Sequence, residues 1–240
     1  MIARTTFLAT ILLSLGGCVT ASGPIPPTLS NKSMVVISTL SNDLQLQYVG
    51  STVFHNKTDT FDATDWRLRA NLQTSAIDAI NANGKFQARP PTVVDPHLHF
   101  EGVGYDAANT PIYRISKRKQ MTRSYAEEEN ADLVLLIAPV NYKDVFFGTS
   151  QTVSGYGIYE RSFMGLKRAV TFATLQLVLY DGANGDEIAW VKGYGSTERP
   201  TAEWMGPDHV FEPNAEHETR STIRNLYKSL LSDLLGQIGL

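Results

Sequence analysis

Apolar positions in the chain follow three patterns, and each predicts a different element. Continuous runs are the first. Met34-Val35-Val36-Ile37 is short and β-branched. Leu133-Val134-Leu135-Leu136-Ile137, within Ala131 to Pro139, is apolar on both faces. Both suit buried strands, the second at the centre of a covered sheet. Alternation is the second pattern. From Leu44 to Phe54, Leu44, Leu46 and Tyr48 fall on one side and Gln45, Gln47 and Val49 on the other. That predicts a half-exposed strand, entered through Ser41-Asn42-Asp43 and followed by a polar loop over 55–59. Thr152 to Tyr159 reads as a strand punctuated by glycine. Ala169 to Tyr180 is long and alternating, and Ile188 to Tyr194 returns antiparallel across the loop Asp181 to Asp186. Gly185 supplies the positive φ that such a turn needs.

Helical spacing is the third pattern. After Thr64, Leu72, Ala76 and Ile80 recur at i+4, with Trp66 and Ile77 beside them. Asp62 or Thr64 caps this helix, and Gly84 ends it after Asn83. Near the carboxyl terminus, Ile223, Leu226, Tyr227, Leu230, Leu231, Leu234 and Leu235 mark one face, with Asn214 as cap and Gly236 as end. The opposite face carries Arg220, Arg224 and Lys228. Such a helix covers a core or lies on a membrane surface, and the earlier strands need a cover. Lys85 to Ala88 and Thr92 to Val94 look extended, but Pro90-Pro91 restricts them to an edge or a loop. Residues 95–122 and 197–213 show no regular pattern, and Ser124 to Asn130 reads as a short acidic helical turn. The expected fold is α+β: a single sandwich domain over 33–240, with an antiparallel-rich mixed sheet covered by two main helices.

Composition supports a packed core: 42% of the 240 residues are hydrophobic and 19% are charged. A net charge of -3 leaves no basic footprint of the kind nucleic acid requires. The only cysteine is Cys18, which excludes an internal disulfide, a thiolate zinc cluster and a Cys-x-x-Cys redox pair. After it, no apolar run reaches the roughly 18–20 residues of a membrane-spanning helix.

The first 17 residues have the parts of a secretory signal: Arg4, an apolar run from Phe7 to Leu15, and the small residues Gly16 and Gly17. Leu15-Gly16-Gly17-Cys18 resembles the lipobox of bacterial lipoproteins. The resemblance implies cleavage before Cys18, a diacylglycerol thioether on its sulfur and an acyl chain such as palmitate on the new amino terminus. Val19 follows where an Asp favours inner-membrane retention. In a Gram-negative source this implies the periplasmic face of the outer membrane. Val19 to about Asn31 is rich in Ser, Gly and Pro and reads as an extended linker that holds the domain off the membrane. The organisation is a signal peptide over 1–17, a lipidated terminus and linker over 18–32, and a periplasmic domain over 33–240. The domain's layout is also similar to the curli-secretion lipoprotein and to lipoprotein activators of penicillin-binding proteins. Only the lipobox carries resemblance at residue level, so no functional residue transfers.

Candidate chemistry is sparse. In an extended segment Asp95, His97, His99 and Glu101 share a face, and imidazole with carboxylate suits zinc. An alternating strand with Leu98 and Phe100 inward reads the same way. No nucleophile elbow, phosphate loop or dinucleotide fingerprint occurs, and no cofactor is implied. Arg114, Lys117, Arg118, Lys119 and Arg123 form a basic cluster. It is either a solvated face or a contact for an anionic partner, with Lys117, Arg118 and Lys119 as its centre. Tyr156, Tyr159, Phe163 and Met164, near Arg161 and Lys167, are either core or an exposed binding loop. The expectation is a non-enzymatic envelope protein, held at the membrane through Cys18, that binds an envelope protein or peptidoglycan. The alternatives are an envelope hydrolase with a site built from loops 95–122 and 197–213, and an oligomeric secretion or assembly component.

Overall fold

A computed structural model describes residues 20–92, 112–199 and 213–240. It shows a single α+β domain. Nine strands form one mixed sheet among the described residues. These are β1 (Thr20–Ala21), β2 (Ser33–Ser38), β3 (Asp43–Val49), β4 (Lys57–Asp62), β5 (Gln87–Arg89), β6 (Leu133–Ala138), β9 (Tyr156–Phe163), β10 (Leu166–Asp181) and β11 (Glu187–Arg199). The short strands β7 (Tyr142–Lys143) and β8 (Thr152–Val153) pair separately. The helices are α1 (Leu68–Asn83), α2 (Ile112–Glu129) and α3 (Pro213–Ile238).

The longest strand, β10, organises the sheet. Along one edge it pairs antiparallel with β11 from Ala169↔Arg199 to Tyr180↔Glu187. Along the other it pairs first with β9, over Leu166 to Ala173, and then with β6, over Gln176 to Asp181. The sheet therefore forks. One wing runs β9-β3-β4 and the other runs β6-β2-β5. Thr174 stands at the fork. Its N–H donates to the Gly155 carbonyl at 2.6 Å, and its hydroxyl accepts from the Gly155 N–H at 2.8 Å and donates to the Val140 carbonyl at 2.8 Å. Backbone groups that the fork takes out of the ladder are satisfied there.

Both faces are covered. On one, α1 contributes Leu72, Ala76 and Ile80, and α3 contributes its whole apolar stripe, packed over Val36, Leu135, Leu177 and Val191. The amphipathic carboxyl-terminal helix is thus a core helix. It lies close to β11 because Gly193 and Gly195 leave room, and a Cβ on Gly193 would stand 2.9 Å from Leu230 Cδ1. Trp66 Nε1 donates to Glu216 at 3.0 Å, which fixes the start of α3 against the turn before α1. On the other face, α2 places Tyr125 and Ala126 on Val35, Leu136 and Tyr180. Further along that face, Phe146 and Phe147 of the 144–149 loop pack on Tyr159 and Phe172.

Several expectations change. There are three helices rather than two, because the turn expected at 124–130 is the end of an 18-residue helix. The first alternating strand stops at Val49, and the loop expected over 55–59 gives way to the exposed edge strand β4 from Lys57. This edge strand is exposed on both sides except at Phe61, which packs beside Trp66, so it carries no apolar alternation. The helix expected near Thr64 begins at Leu68. Thr64–Trp66 is a 3-10 turn with Ala63 at its N-cap position; Asp62 before it accepts through Oδ1 from the Thr64 N–H at 2.9 Å and hydroxyl at 2.6 Å. Arg67 then takes a left-handed conformation before α1 starts.

The linker is the largest correction. Thr20 and Ala21 pair antiparallel with Lys192 and Val191 of β11. The Ser22 N–H donates to the Trp190 carbonyl at 3.0 Å, and the Ile25 N–H to the Ile238 carbonyl at 3.0 Å. Ile25 and Leu29 pack against the core. Prolines at 24, 26 and 27 fix φ without breaking these contacts, because the donors used are those of Ser22 and Ile25. Residues 20–31 are a strap on the domain, not a free tether.

Candidate functional site

The basic cluster is divided by the helix that carries it. Lys117 is exposed, whereas Arg118 is buried at 7% exposure. Arg118 lies over the Tyr180 ring, 5.7 Å from its centroid, and pairs with Glu187 at 3.6 Å. Burial pushes the Glu187 carboxyl above its ordinary range, and the Arg118 charge pulls it part of the way back. Lys119 pairs with Asp186 at the β10–β11 turn. The same turn is pressed against α2: a Cβ on Gly185 would stand 2.1 Å from the Lys119 carbonyl oxygen. Arg118 and Lys119 thus hold α2 to the sheet, and of the three only Lys117 projects freely.

Other carboxylates are also committed to structure. Asp144 is buried and holds the 144–149 loop. Its Oδ1 accepts from the Phe146 and Phe147 N–H groups, and its Oδ2 from the Thr149 N–H and the Tyr159 hydroxyl, each at 2.8 Å. Burial raises this carboxyl, but the hydrogen bonds from Phe147, Thr149 and Tyr159 outweigh it and leave it below the usual range. Glu129, at the end of α2, accepts from Arg89 at 2.7 Å and from the Thr92 N–H at 2.8 Å. Asp132 accepts from the Ser33 N–H at 2.9 Å and hydroxyl at 2.8 Å. These bonds, with Lys32 behind them, hold its carboxyl low. Asp132 sits in an open groove of about 660 Å³ between the end of α2, the start of β2 and the β10–β11 turn.

One surface stands apart. The turn between β9 and β10 is the two-residue pair Met164-Gly165, with φ of 49° and 80°. Positive φ at both positions makes it a type I′ turn, which extends the hairpin straight outward. Phe163, Met164 and Leu166 crown it, at 45%, 82% and 74% exposure. Beside it lies the loop that follows β3, with Val53 at 74% and Phe54 at 92%. The two pieces are joined through Ser51, whose hydroxyl donates to the Ser162 carbonyl and accepts from the Met164 N–H, each at 3.4 Å. These five side chains account for all but one of the exposed large hydrophobics among the described residues. Basic residues surround them. Arg161 lies over Phe163 at 5.2 Å, Lys57 and Lys167 are exposed, and Arg168 pairs with Glu198. Residues 51–57 and 161–168 contain no acid.

The sequence expectation at this hairpin separates into two parts. Tyr156 and Tyr159 are core, and Phe163 and Met164 are the exposed loop. The Val53-Phe54 half was not anticipated, because the alternation beginning at Leu44 disguised it as strand. Gly50 was the available signal. A Cβ there would stand 2.4 Å from His55 Cβ, so the chain turns back at that point. Cys18, His97 and His99 lie outside the described residues, as do Asp95 and Glu101. So do residues 95–111 and 200–212 of the two expected loops; the rest of the first loop, 112–122, is the start of α2, and the ends of the second belong to β11 and α3. Among the described residues, no three His, Cys, Asp or Glu side chains come together to hold a metal. No described helix is long and apolar enough to cross a membrane.

No protein-family model and no curated protein sequence matches the chain. Among solved structures, it is similar to the PelC dodecamer from Paraburkholderia phytofirmans at 14% identity and a TM-score of 0.39, over 92% of this chain and 96% of that one. It is similar to the lipoprotein GNA1162 from Neisseria meningitidis at 15% identity and a TM-score of 0.30, over 81% and 96%. For the LpoB C-terminal domain from Salmonella enterica the values are 14% and 0.25, over 71% and 84%.

Proposed function

We propose that the chain is a lipid-anchored cell-envelope protein, acylated on Cys18, whose domain binds a protein or cell-wall partner without catalysis. The observation that carries this reading is the amino-terminal strap. The lipobox cysteine stands two residues before Thr20, which is the first described residue and is paired into the sheet. An acylated Cys18 would hold the domain close against the bilayer instead of at the end of a tether. Three acyl chains make such anchoring effectively permanent, because one chain alone binds marginally at about 0.8 kcal/mol per CH₂. The carboxylates Asp144, Glu129 and Asp132 each take several hydrogen bonds that tie loops and strands together, which suits a scaffold.

Two measurements test this reading. The mature chain isolated from envelope membranes should begin at Cys18 and carry the mass of the diacylglycerol and acyl groups. Cys18→Ser should yield a folded, mislocalised protein. A mature chain of unmodified mass would end the anchoring reading. Crosslinking in intact cells, followed by isolation of the chain, should recover an envelope protein or peptidoglycan fragments in fixed ratio. Hydrolytic release of a small product from envelope material by the purified chain would overturn the non-catalytic part.

A further inference from the structure

We infer that the end of the domain formed by the β9–β10 turn and the 51–55 loop is a second membrane contact, which inserts into the surface of an anionic phospholipid bilayer. The inference depends on the reading above only for the presence of a bilayer; its own grounds are separate. The chain as a whole is acidic, with a net charge of -3, yet the segments 51–57 and 161–168 carry Lys57, Arg161, Lys167 and Arg168 and no acid; Arg168 is paired with Glu198 of β11, which leaves Lys57, Arg161 and Lys167 without a carboxylate partner in the ion pairs of the described residues. Charge is therefore sorted within the molecule, and cations sit where apolar side chains are exposed. That pairing matches a headgroup layer: the rings and aliphatic chains enter the acyl boundary while the cations remain at the phosphates.

The backbone of the tip suits this role. Its two strands are paired to the last residue, Phe163 with Leu166, so the turn can enter a less polar layer with its neighbouring ladder bonds already made. The flanking cations have long stems that let their charges reach the interface while the apolar side chains go deeper. β1 runs parallel to β10, since both are antiparallel to β11. Thr20 pairs with Lys192, which pairs with Gln176 part-way along β10, so the strap enters the sheet away from its ends. The tip and the β10–β11 turn lie at opposite ends of β10.

The test uses the full chain and its single native thiol. In a Cys18→Ser background, Met164→Cys carries a polarity-sensitive fluorophore, and Ala183→Cys at the opposite end serves as the control. With vesicles of phosphatidylglycerol and phosphatidylethanolamine, the label at 164 should shift to the blue. The shift should weaken as salt is raised, and the label at 183 should not move. The triple variant Phe54→Ser, Met164→Ser, Leu166→Ser should reduce vesicle binding about tenfold or more at an unchanged melting temperature. Absence of a shift at 164 overturns the inference. Equal shifts at 164 and 183 also overturn it, because residues 1–17 would then be the binding element. Lipid-free dimerisation abolished by the triple variant would assign the tip to a second copy of the chain. The mass of Cys18 in the wild-type protein is read independently, so failure of the tip and failure of the anchor are distinguishable.

Discussion

At the scale of single residues, Asp144 shows how much of the fold depends on one carboxylate. It receives four hydrogen bonds, and one of its donors, the Tyr159 hydroxyl, also meets the Thr149 hydroxyl at 2.6 Å. Asp144→Ala should lower stability by about 3 kcal/mol, since buried donors left without a charged acceptor are costly. Urea unfolding, with tyrosine fluorescence as probe, measures it. The pH dependence follows from the direction of the shift. The folded carboxyl lies below its unfolded value of about 3.9, so its contribution is complete above that pH and disappears as pH falls through the lower folded value. Asp144→Asn should flatten that acid limb. Two glycines make a second comparison. A Cβ on Gly157 would stand 2.1 Å from the Gln45 carbonyl oxygen, across the β3–β9 ladder. A Cβ on Gly195 would meet only Leu226 Cδ2, at 3.3 Å. Gly157→Ala should cost about 2–3 kcal/mol by overpacking against backbone, and Gly195→Ala well under 1 kcal/mol, because a leucine methyl can move. Their urea midpoints should differ accordingly.

At the scale of elements, the strands and the two apolar helices were legible because their burial is written in apolar letters at period 2 or 3.6. Helix α2 was not. From Lys117 onward its buried positions are Arg118, Thr122, Tyr125, Ala126 and Glu129, a helical spacing carried mostly by polar residues. Arg118 and Glu129 are buried only because Glu187 and Arg89 come from elsewhere in the sequence to compensate them. A search for apolar periodicity cannot register such a stripe. The strap was hidden for a related reason: its composition is that of a linker, and its order comes from a register with β11 more than 160 residues away. The tip was half legible. Phe163-Met164-Gly165 announces a turn with apolar flanks, but nothing local says that Val53 and Phe54 lie beside it. The strap leads to a prediction at this scale. Ile25→Ala with Leu29→Ala should lower the melting temperature, at a cost of about 2 kcal/mol for partly buried side chains. A free tether would show no change.

At the scale of the molecule, the two ends of the sheet have different characters. One carries apolar side chains among cations. The other carries Asp132, Asp181 and Asp186 around the end of α2 and the β10–β11 turn, two of them paired with Lys32 and Lys119. Binding of the tip to anionic vesicles should fall with ionic strength as the contribution of the exposed Lys57 and Lys167 is screened. Lys57→Glu with Lys167→Glu should weaken binding to anionic vesicles without changing the melting temperature, since both side chains are exposed.

The forked sheet has a consequence in time. Both wings hang on β10, which begins at residue 166 of 240, and α3 must still follow to cover them. Neither wing can be joined to the other until more than two thirds of the chain exists. Contacts between residues so far apart in sequence form slowly. Were the first residues to act as the export signal proposed above, that delay would have a use: the chain would reach the secretion channel still unfolded, and its architecture would close only on the far side.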